Sequence, residues 1–445
     1  MLPSLSLYDT LTQQKKELSL KTPGCISLYV CGATVYDHCH IGHGRIKVVF
    51  DAWVRMARAM GYQVKYVMNI TDIDDKIINK ALSEDKSSED VSEFFITQMR
   101  EVDHSLGLIS PDEEPRATAY IDEMVAMIEC LISKGHAYTA DGDVYFSVQS
   151  YPQYGQLSRQ DVGHLQGERD LIATDKRHAA DFVLWKSAKP GEPSWPSPWG
   201  QGRPGWHIEC SAMSTKLLGE DFDIHGGGMD LKFPHHENEI AQACCAHNGG
   251  YARHWMHVGL VMMGQEKMSK SLGNTLLLKS LLSRVPAEVL RFMYLQTHYS
   301  KPLAFTENHM QQAEQAWRRL DRLVKDVALD DVDIGPVWDA LADDFNTPQV
   351  IAQMFEWRRL AEQESTEDSR LDYLRRIKRS GHIMGLFQGQ SESVVDENWV
   401  NDLIVQRQKA KSNKDYALAD QIRDRLAEAG IRLEDTADGV KWHQL

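Results

Sequence analysis

The sequence has no long hydrophobic run. No window approaches the roughly 18 uninterrupted apolar residues of a membrane-spanning helix. Residues 1–6 lack the basic segment followed by an apolar stretch that marks a secretion signal. Cysteine is also scarce, and its number, seven, is odd, which argues against a disulfide framework. We therefore expect a protein of the reducing cytoplasm that has no membrane association.

The P-loop fingerprint is absent as well, since G-x-x-x-x-G-K-[ST] does not occur. The pattern G-x-G-x-x-G occurs once, at residues 200–205, but it follows a loop rich in proline and tryptophan and not the first strand of a β-α-β unit, so it does not indicate a dinucleotide-binding fold. Positive charge is in deficit, with 49 Lys and Arg against 64 Asp and Glu and a formal net charge of −15. This balance argues mildly against nucleic-acid binding, but a local basic patch remains compatible with it.

What is present begins with a β-α-β pattern near the N-terminus. Residues 26–31 read as a buried strand, a helical pattern ends at Gly61, and residues 64–70 read as the next strand. His40-Ile41-Gly42-His43 lies at the predicted helix N-terminus, where free N–H groups and the helix dipole favour anions. His40, Gly42 and His43 are therefore candidate phosphate ligands. The alternative is a glycine-containing turn with solvated histidines.

A second motif, Lys267-Met268-Ser269-Lys270-Ser271, lies past the middle of the chain between glycines. Such a loop can be mobile. Two lysines three residues apart can hold a leaving pyrophosphate, whose charge grows in the transition state. An exposed charged turn is the alternative. The two motifs in this order match the signature pair of class I aminoacyl-tRNA synthetases.

A metal-ligand set is also possible. His235 and Glu239 are four residues apart, so a helix would place both on one face. Together with Cys31 and Cys210 they form a plausible tetrahedral zinc set. The cysteines are remote in sequence and have to converge by folding, and free cysteines are more often small buried hydrophobes. Spacing alone leaves both interpretations open.

Further segments resemble the bacterial cysteinyl-tRNA synthetases, a family of class I aminoacyl-tRNA synthetases. The resemblance is collinear along nearly the whole chain and rests on residues 29–32, 34–37, 40–43, 69–76, 205–213, 223–231, 233–239 and 267–271. It implies that Zn²⁺ binds the substrate thiol directly and that ATP is used with Mg²⁺. The implied substrates are L-cysteine, ATP and tRNA(Cys), and the implied protein is a monomer with no obligatory protein partner.

The resemblance also implies roles for individual residues. Cys31, Cys210, His235 and Glu239 correspond to the zinc ligands. By the same resemblance, His40 and His43 contact the ATP phosphates, and Lys267 and Lys270 contact the pyrophosphate. Asp230 is implied to contact the ribose, and Thr71 the substrate amine. Gly32 and Trp206 are implied to line the substrate pocket. Trp206 could equally be a core indole. No general base for the transfer step is evident.

The predicted fold class is α/β. We expect a Rossmann-type parallel-sheet catalytic domain split by an insertion, an all-helical bundle, and a small α+β C-terminal domain. The predicted units are 1–118 and 204–262 for the two catalytic halves, 119–203 for the insertion, 263–310 for the lysine-loop and stem-contact region, 311–390 for the bundle, and 396–445 for anticodon binding. Strand ends from both halves are expected to meet at the topological switch point and so bring Cys31 and Cys210 together.

Two other functions fit parts of the pattern. A ligase with the same adenylating core could join cysteine to an amino sugar, and the zinc and ATP residues do not exclude it. The C-terminal segment from about 396 argues against it, because a small-molecule ligase reads no anticodon. A regulatory relative that has lost catalysis is the second alternative, but the histidines and lysines of both motifs are intact.

Overall fold

The computed structural model describes residues 2–160, 176–247, 249–263, 266–267, 276–388, 397–428, 431–436 and 439–444. Its strands are β1 Ser6–Asp9, β2 Gln14–Glu17, β3 Cys25–Val30, β4 Gln63–Met68, β5 Ala137–Ala140, β6 Asp143–Phe146, β7 Phe182–Ser187, β8 Gly202–Pro204, β9 Phe222–Gly228, β10 Ala252–Val258, β11 Val261–Met263, β12 Glu266–Lys267, β13 Leu303–Phe305, β14 Ile431–Thr436 and β15 Gly439–Gln444. Its α-helices are α1 Ile41–Ala59, α2 Asp75–Glu84, α3 Ser88–Ser105, α4 Ile121–Ser133, α5 Trp206–Leu218, α6 His235–His247, α7 Leu278–Leu282, α8 Ala287–Leu295, α9 Glu307–Val324, α10 Gly335–Ala342, α11 Thr347–Ala361, α12 Glu367–Ile383, α13 Glu397–Ser412 and α14 Tyr416–Glu428.

The centre of the fold is a four-stranded parallel sheet in the order β10-β9-β3-β4. The apolar stretch that forms β3 is buried between its neighbours, and Leu28 is paired with Tyr66 on one side and Ile224 on the other. Two strands come from each half of the chain, so β3 and β9 meet at the middle of the sheet. The expected α/β class with a split catalytic domain is confirmed.

An antiparallel sheet in the order β5-β6-β7-β8 separates the two halves. It shares a hydrophobic core with α4, α5 and α6, in which Phe146, Leu184 and Trp185 are fully buried. Because β8 leads directly into α5, this insertion fixes where the second half of the catalytic domain begins.

Helices follow the catalytic domain, as expected. Helical periodicity in the sequence predicts helix from Trp357 to Met384, but the structure has two helices there, because α11 ends at Ala361 and Thr366 caps α12 by accepting from the Ser369 N–H. The same periodicity predicts a helix over 313–329, whereas the observed helix runs over Glu307–Val324, since Thr306 provides its N-terminal cap.

The C-terminal unit contains α13, α14 and the hairpin β14–β15 around a small separate core. Ile422 and Leu426 lie in this core. The spacing of Leu418, Ile422 and Leu426 in the sequence predicts that they share one apolar face, but Leu418 is exposed, so the buried face of α14 is narrower than that spacing indicates. Among the described residues, no helix has the length and apolar character needed to cross a membrane.

Candidate functional site

Four buried side chains converge at the carboxyl end of β3. Their donor atoms, from Cys31, Cys210, His235 and Glu239, all lie within 4.8 Å of one another. The two sulfurs are 3.6 Å apart, and Glu239 Oε1 lies 3.5 Å from Cys31 Sγ and 3.1 Å from His235 Nε2. A tetrahedral zinc ion with bonds of about 2.3 Å to sulfur would hold two sulfurs about 3.8 Å apart. The spacing of these donors fits such an ion.

The elements that position the ligands differ from the expectation in one respect. Cys31 directly follows β3, and His235 and Glu239 lie one turn apart on α6, as expected. Cys210, however, lies in α5 and not in a loop at the end of a parallel strand. It therefore reaches Cys31 because α5 starts from the insertion sheet and packs against α6.

A shell of polar side chains orients these ligands. Tyr251 donates its O–H to Glu239 Oε2 at 2.7 Å, and His225 Nε2 donates to the same oxygen at 2.8 Å, so Oε1 is the oxygen turned toward the cysteine. His235 bonds His207 through Nδ1 at 3.0 Å, which leaves Nε2 for the site. Such partners fix the tautomer and the direction of a ligating group. Sequence reasoning missed His225, His207 and Tyr251. The only available signal was that the segments 205–213 and 223–231, which contain the two histidines, carry the family resemblance.

The protonation of these groups is set by burial and by one another. Burial raises the pKa of the Cys31 thiol well above its usual value. The hydrogen bond donated by Cys31 lowers the pKa of Cys210 to about 6. Burial opposes the charged forms of His235 and Glu239. For the imidazole this is outweighed by attraction to Glu239 and then Cys210, and for the carboxyl by attraction to His225 and then His235. The pKa of the imidazole is therefore raised and that of the carboxyl is lowered.

A second overlapping set exists. His225 and His236 also lie within ligand distance of Cys31 and Glu239. This set offers one sulfur instead of two, and His236 Nδ1 already bonds His257. Burial lowers the pKa of His236 well below its usual value, so its ring is neutral and can accept. Because zinc favours thiolate, the set with two cysteines is the better metal site.

The residues that the sequence predicts to contact the substrate lie near this cluster. Asn69 Oδ1 accepts from Gly32 N at 2.9 Å, and its amide donates to Thr71 Oγ1 at 3.3 Å. A Cβ at Gly32 would lie 1.7 Å from the Asn69 carbonyl oxygen, so this close approach requires glycine. The Trp206 ring lies 4.3 Å from the His235 ring, centroid to centroid. The structure thus brings Gly32, Thr71 and Trp206 to the metal-ligand set.

The histidines of the first motif begin α1. His40 is the N-cap residue, and its Nδ1 accepts from Gly42 N at 3.1 Å, while His43 Nδ1 accepts from His40 N at 3.3 Å. The two rings stack with centroids 3.7 Å apart. In a neutral imidazole an accepting Nδ1 places the proton on Nε2. Each ring can therefore donate to an anion at the positive end of this helix dipole.

The segment after the second motif is bonded to the same helix start. Ile41 N donates to Leu276 O at 3.0 Å, and Leu278 N donates to Cys39 O at 2.9 Å. The backbone of Lys267 lies in β12, paired with Met262 of β11. The Lys267 side chain and all of Lys270 lie outside the described residues. Asp230 is exposed in a short turn that follows the carboxyl end of β9.

Comparisons with known proteins agree with this arrangement. The chain matches the family model of tRNA synthetases class I (C) catalytic domain over residues 17–315 and the DALR domain model over residues 337–388. It is 46% identical to the cysteine–tRNA ligase of Shewanella baltica strain OS223, over 99% of this chain and 100% of that protein. The cysteine–tRNA ligase of Idiomarina loihiensis is also 46% identical, over 99% of this chain and 100% of that protein. The chain belongs to the cysteine–tRNA ligase family.

Solved structures of other class I enzymes share the fold at low sequence identity. A methionyl-tRNA synthetase from Mycobacterium tuberculosis in complex with methionyl-adenylate gives a TM-score of 0.56 at 12% identity, covering 85% of this chain and 93% of that one. A ternary complex of LeuRS, tRNA and LeuAMS from Agrobacterium radiobacter K84 gives a TM-score of 0.60 at 12% identity, covering 86% and 87%. Because the cysteine–tRNA ligases match along the full chain, the amino-sugar ligase alternative is not supported.

Proposed function

We propose that the protein activates L-cysteine with ATP to form cysteinyl-adenylate and then transfers cysteine to the 3′-terminal adenosine of tRNA(Cys). We further propose that Zn²⁺ held by Cys31, Cys210, His235 and Glu239 selects the substrate by its thiol. One observation carries the zinc proposal. Two cysteines, an imidazole and an oriented carboxylate oxygen converge in a buried site, in a chain of the cysteine–tRNA ligase family.

The thiol is the group that such a site can distinguish. Bound zinc supplies a borderline-soft Lewis acid that prefers a thiolate to an alcohol. A pocket that sorts by size alone separates near-isosteres by only about 10- to 200-fold. Tyr251 and His225 restrain Glu239, so the donor set is held in one arrangement before the substrate arrives. Gly32, Thr71 and Trp206 then form the walls that the remainder of the amino acid contacts.

Adenylate formation needs positioning and charge stabilisation. The cysteine carboxylate attacks the α-phosphate of ATP, and pyrophosphate leaves. His40 and His43 stand at the N-terminus of α1, where ring N–H groups and the helix dipole can stabilise phosphate charge. We assign pyrophosphate contacts to Lys267 and Lys270 and a ribose contact to Asp230. ATP is expected to arrive with Mg²⁺.

Transfer requires a region that holds the tRNA. The C-terminal unit exposes Lys409, Lys414 and Arg423, and its hairpin carries Trp442. Cations match a phosphate backbone, and an indole can stack on an unpaired base. The alternative is that this unit only supports the bundle. Its role in anticodon reading, the domain limits given above, the monomeric state and the cytoplasmic location remain predictions.

A chelator experiment on a matched pair of variants tests the proposal. Cys210→Ser replaces one ligand, whereas Cys245→Ser changes a second buried cysteine, on α6, that belongs to neither ligand set. The readouts are bound metal per chain, cysteine-dependent ATP–pyrophosphate exchange, and charging of unfractionated tRNA. We expect the wild type and Cys245→Ser to bind one zinc and to charge tRNA with cysteine but not serine.

Cys210→Ser should lose both metal and exchange, and a strong chelator should reproduce this loss in the wild type. Full metal content with normal exchange in Cys210→Ser would refute the ligand assignment. Normal exchange with no charging of any tRNA would instead refute the transfer step and leave the zinc site intact.

A further inference from the structure

A group of aromatic and lysine side chains lies beside the start of α1. We call it the aromatic rim and define it as Tyr36, His38, Lys76, Lys80 and Phe94. Phe94 and His38 meet edge to face, with ring centroids 6.3 Å apart. Lys76 Nζ lies 5.3 Å from the centroid of the Tyr36 ring. The rim therefore combines rings with cations from three separate parts of the chain.

Phe94 is the exposed aromatic ring of this group. It lies on α3 and is 53% exposed, whereas the adjacent Phe95 is buried and contacts both His38 and Phe94 edge to face. Lys80 Nζ lies 5.1 Å from the Phe95 ring centroid. A single exposed phenylalanine is common on protein surfaces. Phe94, however, contacts the rings of His38 and Phe95, so it is part of a packed aromatic group.

The rim adjoins the candidate site on two sides. Val35 N donates to Thr71 O at 3.2 Å, which ties the Tyr36 segment to the residue proposed to meet the substrate amine. His38 lies two residues before the N-cap His40. On α3, Gln98 is one turn beyond Phe94 and accepts from Lys279, in the helix that follows the lysine motif. A molecule on the rim would thus lie at the edge of the ATP and cysteine sites.

Several carboxylates near the rim have cationic partners, while Asp37 and Asp74 accept from the backbone N–H groups of His38 and Lys76. Glu84 pairs with Lys80 at 3.2 Å and Lys86 at 2.8 Å, and Glu93 pairs with Arg116. Asp75, next to Lys76, pairs with Lys186 at 2.6 Å and also with Arg203. This pairing limits the repulsion that a polyanion would meet. Lys76 is exposed and adds positive charge.

The C-terminal helices do not cover this surface. Helix α13 packs beside Phe94 on α3, where Gln406 bonds Thr97 and Lys409 lies 3.5 Å from Asp90, each about one helical turn from Phe94. Phe94 remains exposed with α13 in place. The open surface is therefore available to another molecule.

We propose that the aromatic rim binds the unpaired 3′ end of the tRNA, with a base stacking on Phe94 and backbone phosphates near Lys76 and Lys80. This inference rests on the proposed transfer function and identifies where the acceptor end enters. Single-stranded nucleic acid is held by aromatic faces and cations in this combination. Stacking tolerates any base, so the contact positions the terminus without reading the tRNA identity.

Phe94→Ala tests the inference against Leu82→Ala, which removes another exposed apolar side chain, 67% exposed, on the nearby helix α2. Phe94→Ala should lower kcat/KM for tRNA charging about 5- to 150-fold, the range for loss of one base–aromatic stack. Phe94→Trp should restore charging, because the stacking face returns. ATP–pyrophosphate exchange should be unchanged in all three variants.

A binding measurement locates the contact on the tRNA. The affinity of intact tRNA is compared with that of tRNA lacking its last three nucleotides. The wild type and Leu82→Ala should prefer intact tRNA, and Phe94→Ala should lose that preference. An unchanged preference in Phe94→Ala would overturn the inference, as would equal loss of exchange and charging. If no variant, nor the wild type, charges tRNA, the proposed transfer function fails instead.

Discussion

Arg45 tests how the helix that follows the histidine motif is held against the segment that leads to the lysine motif. It lies in α1, two residues after His43, and is fully buried. Its guanidinium donates to the carbonyls of Gly259 at 2.8 Å, Leu260 at 3.1 Å, His298 at 3.2 Å and Lys301 at 2.6 Å. The first two carbonyls precede β11, which leads to the lysine motif. One side chain therefore ties the histidine helix to two segments of the second half.

Replacing Arg45 by lysine should be costly although the charge is kept. One ammonium cannot reproduce a planar fork that reaches four carbonyls. A hydrogen bond to a charged group contributes about 1.5–3 kcal/mol, and the contributions are not additive. With two of the four bonds lost, we expect Arg45→Lys to reduce the free energy of unfolding by about 2–4 kcal/mol. That is a large fraction of the roughly 5–15 kcal/mol typical of native proteins.

Urea unfolding followed by circular dichroism measures this loss. Arg55→Lys is the matched control, because Arg55 is on the same helix but partly exposed, and it bonds Asp51 and the Gly107 carbonyl. Its cost should be within about 1 kcal/mol. We also expect Arg45→Lys to slow ATP–pyrophosphate exchange more than it weakens cysteine binding. A free energy of unfolding for Arg45→Lys within about 0.5 kcal/mol of the wild-type value, which is about the error of the method, would refute the reasoning.

Two further predictions concern the C-terminal unit and pH. Deleting residues from 396 should leave ATP–pyrophosphate exchange largely intact while charging falls at least about tenfold, and an equal loss of both activities would show that the unit only supports the fold. For His254, burial lowers the pKa to about 4, so the native ring stays neutral while the unfolded chain takes up a proton below about 6.5. The free energy of unfolding therefore decreases as pH falls from about 6.5 toward 4, by up to about 1.4 kcal/mol per pH unit. In His254→Gln, the number of protons taken up on unfolding in this pH range should be smaller by about one. An unchanged slope of the free energy of unfolding against pH would contradict this account.

Local structure could be predicted from the sequence where a short pattern determines it. The β-α-β unit around α1 follows from an apolar strand, a long amphipathic helix and the glycine at 61, whose φ of +94° is the left-handed conformation expected after a helix. The start of α1 at His40 also agrees with the motif position. Helix limits in the bundle were harder to predict. There the caps Thr306 and Thr366 decide the boundaries, and hydrophobic periodicity alone does not detect them.

The four candidate ligands could be named from the sequence, but the side chains that orient them could not. His235 and Glu239 follow from helical spacing, whereas Cys31 and Cys210 are 179 residues apart and no local pattern relates them. The orienting contacts from Tyr251, His225 and His207 depend on how α5, α6 and β9 pack. Such contacts are tertiary, so a single sequence carries no periodic signal for them.

The insertion between the two halves consequently has a role in placing the candidate metal ligands that its position in the chain does not suggest. Helix α5 begins immediately after β8, and β8 is the edge strand of the insertion sheet. Cys210 lies just over one turn into α5, which also packs against α6 and β3, and its sulfur lies 3.6 Å from that of Cys31. The strand β3 leads to Cys31, and α6 carries His235 and Glu239. Helix α5, which follows the insertion, adds the second sulfur, and the second sulfur distinguishes a thiolate-rich candidate zinc site from the overlapping set with one cysteine.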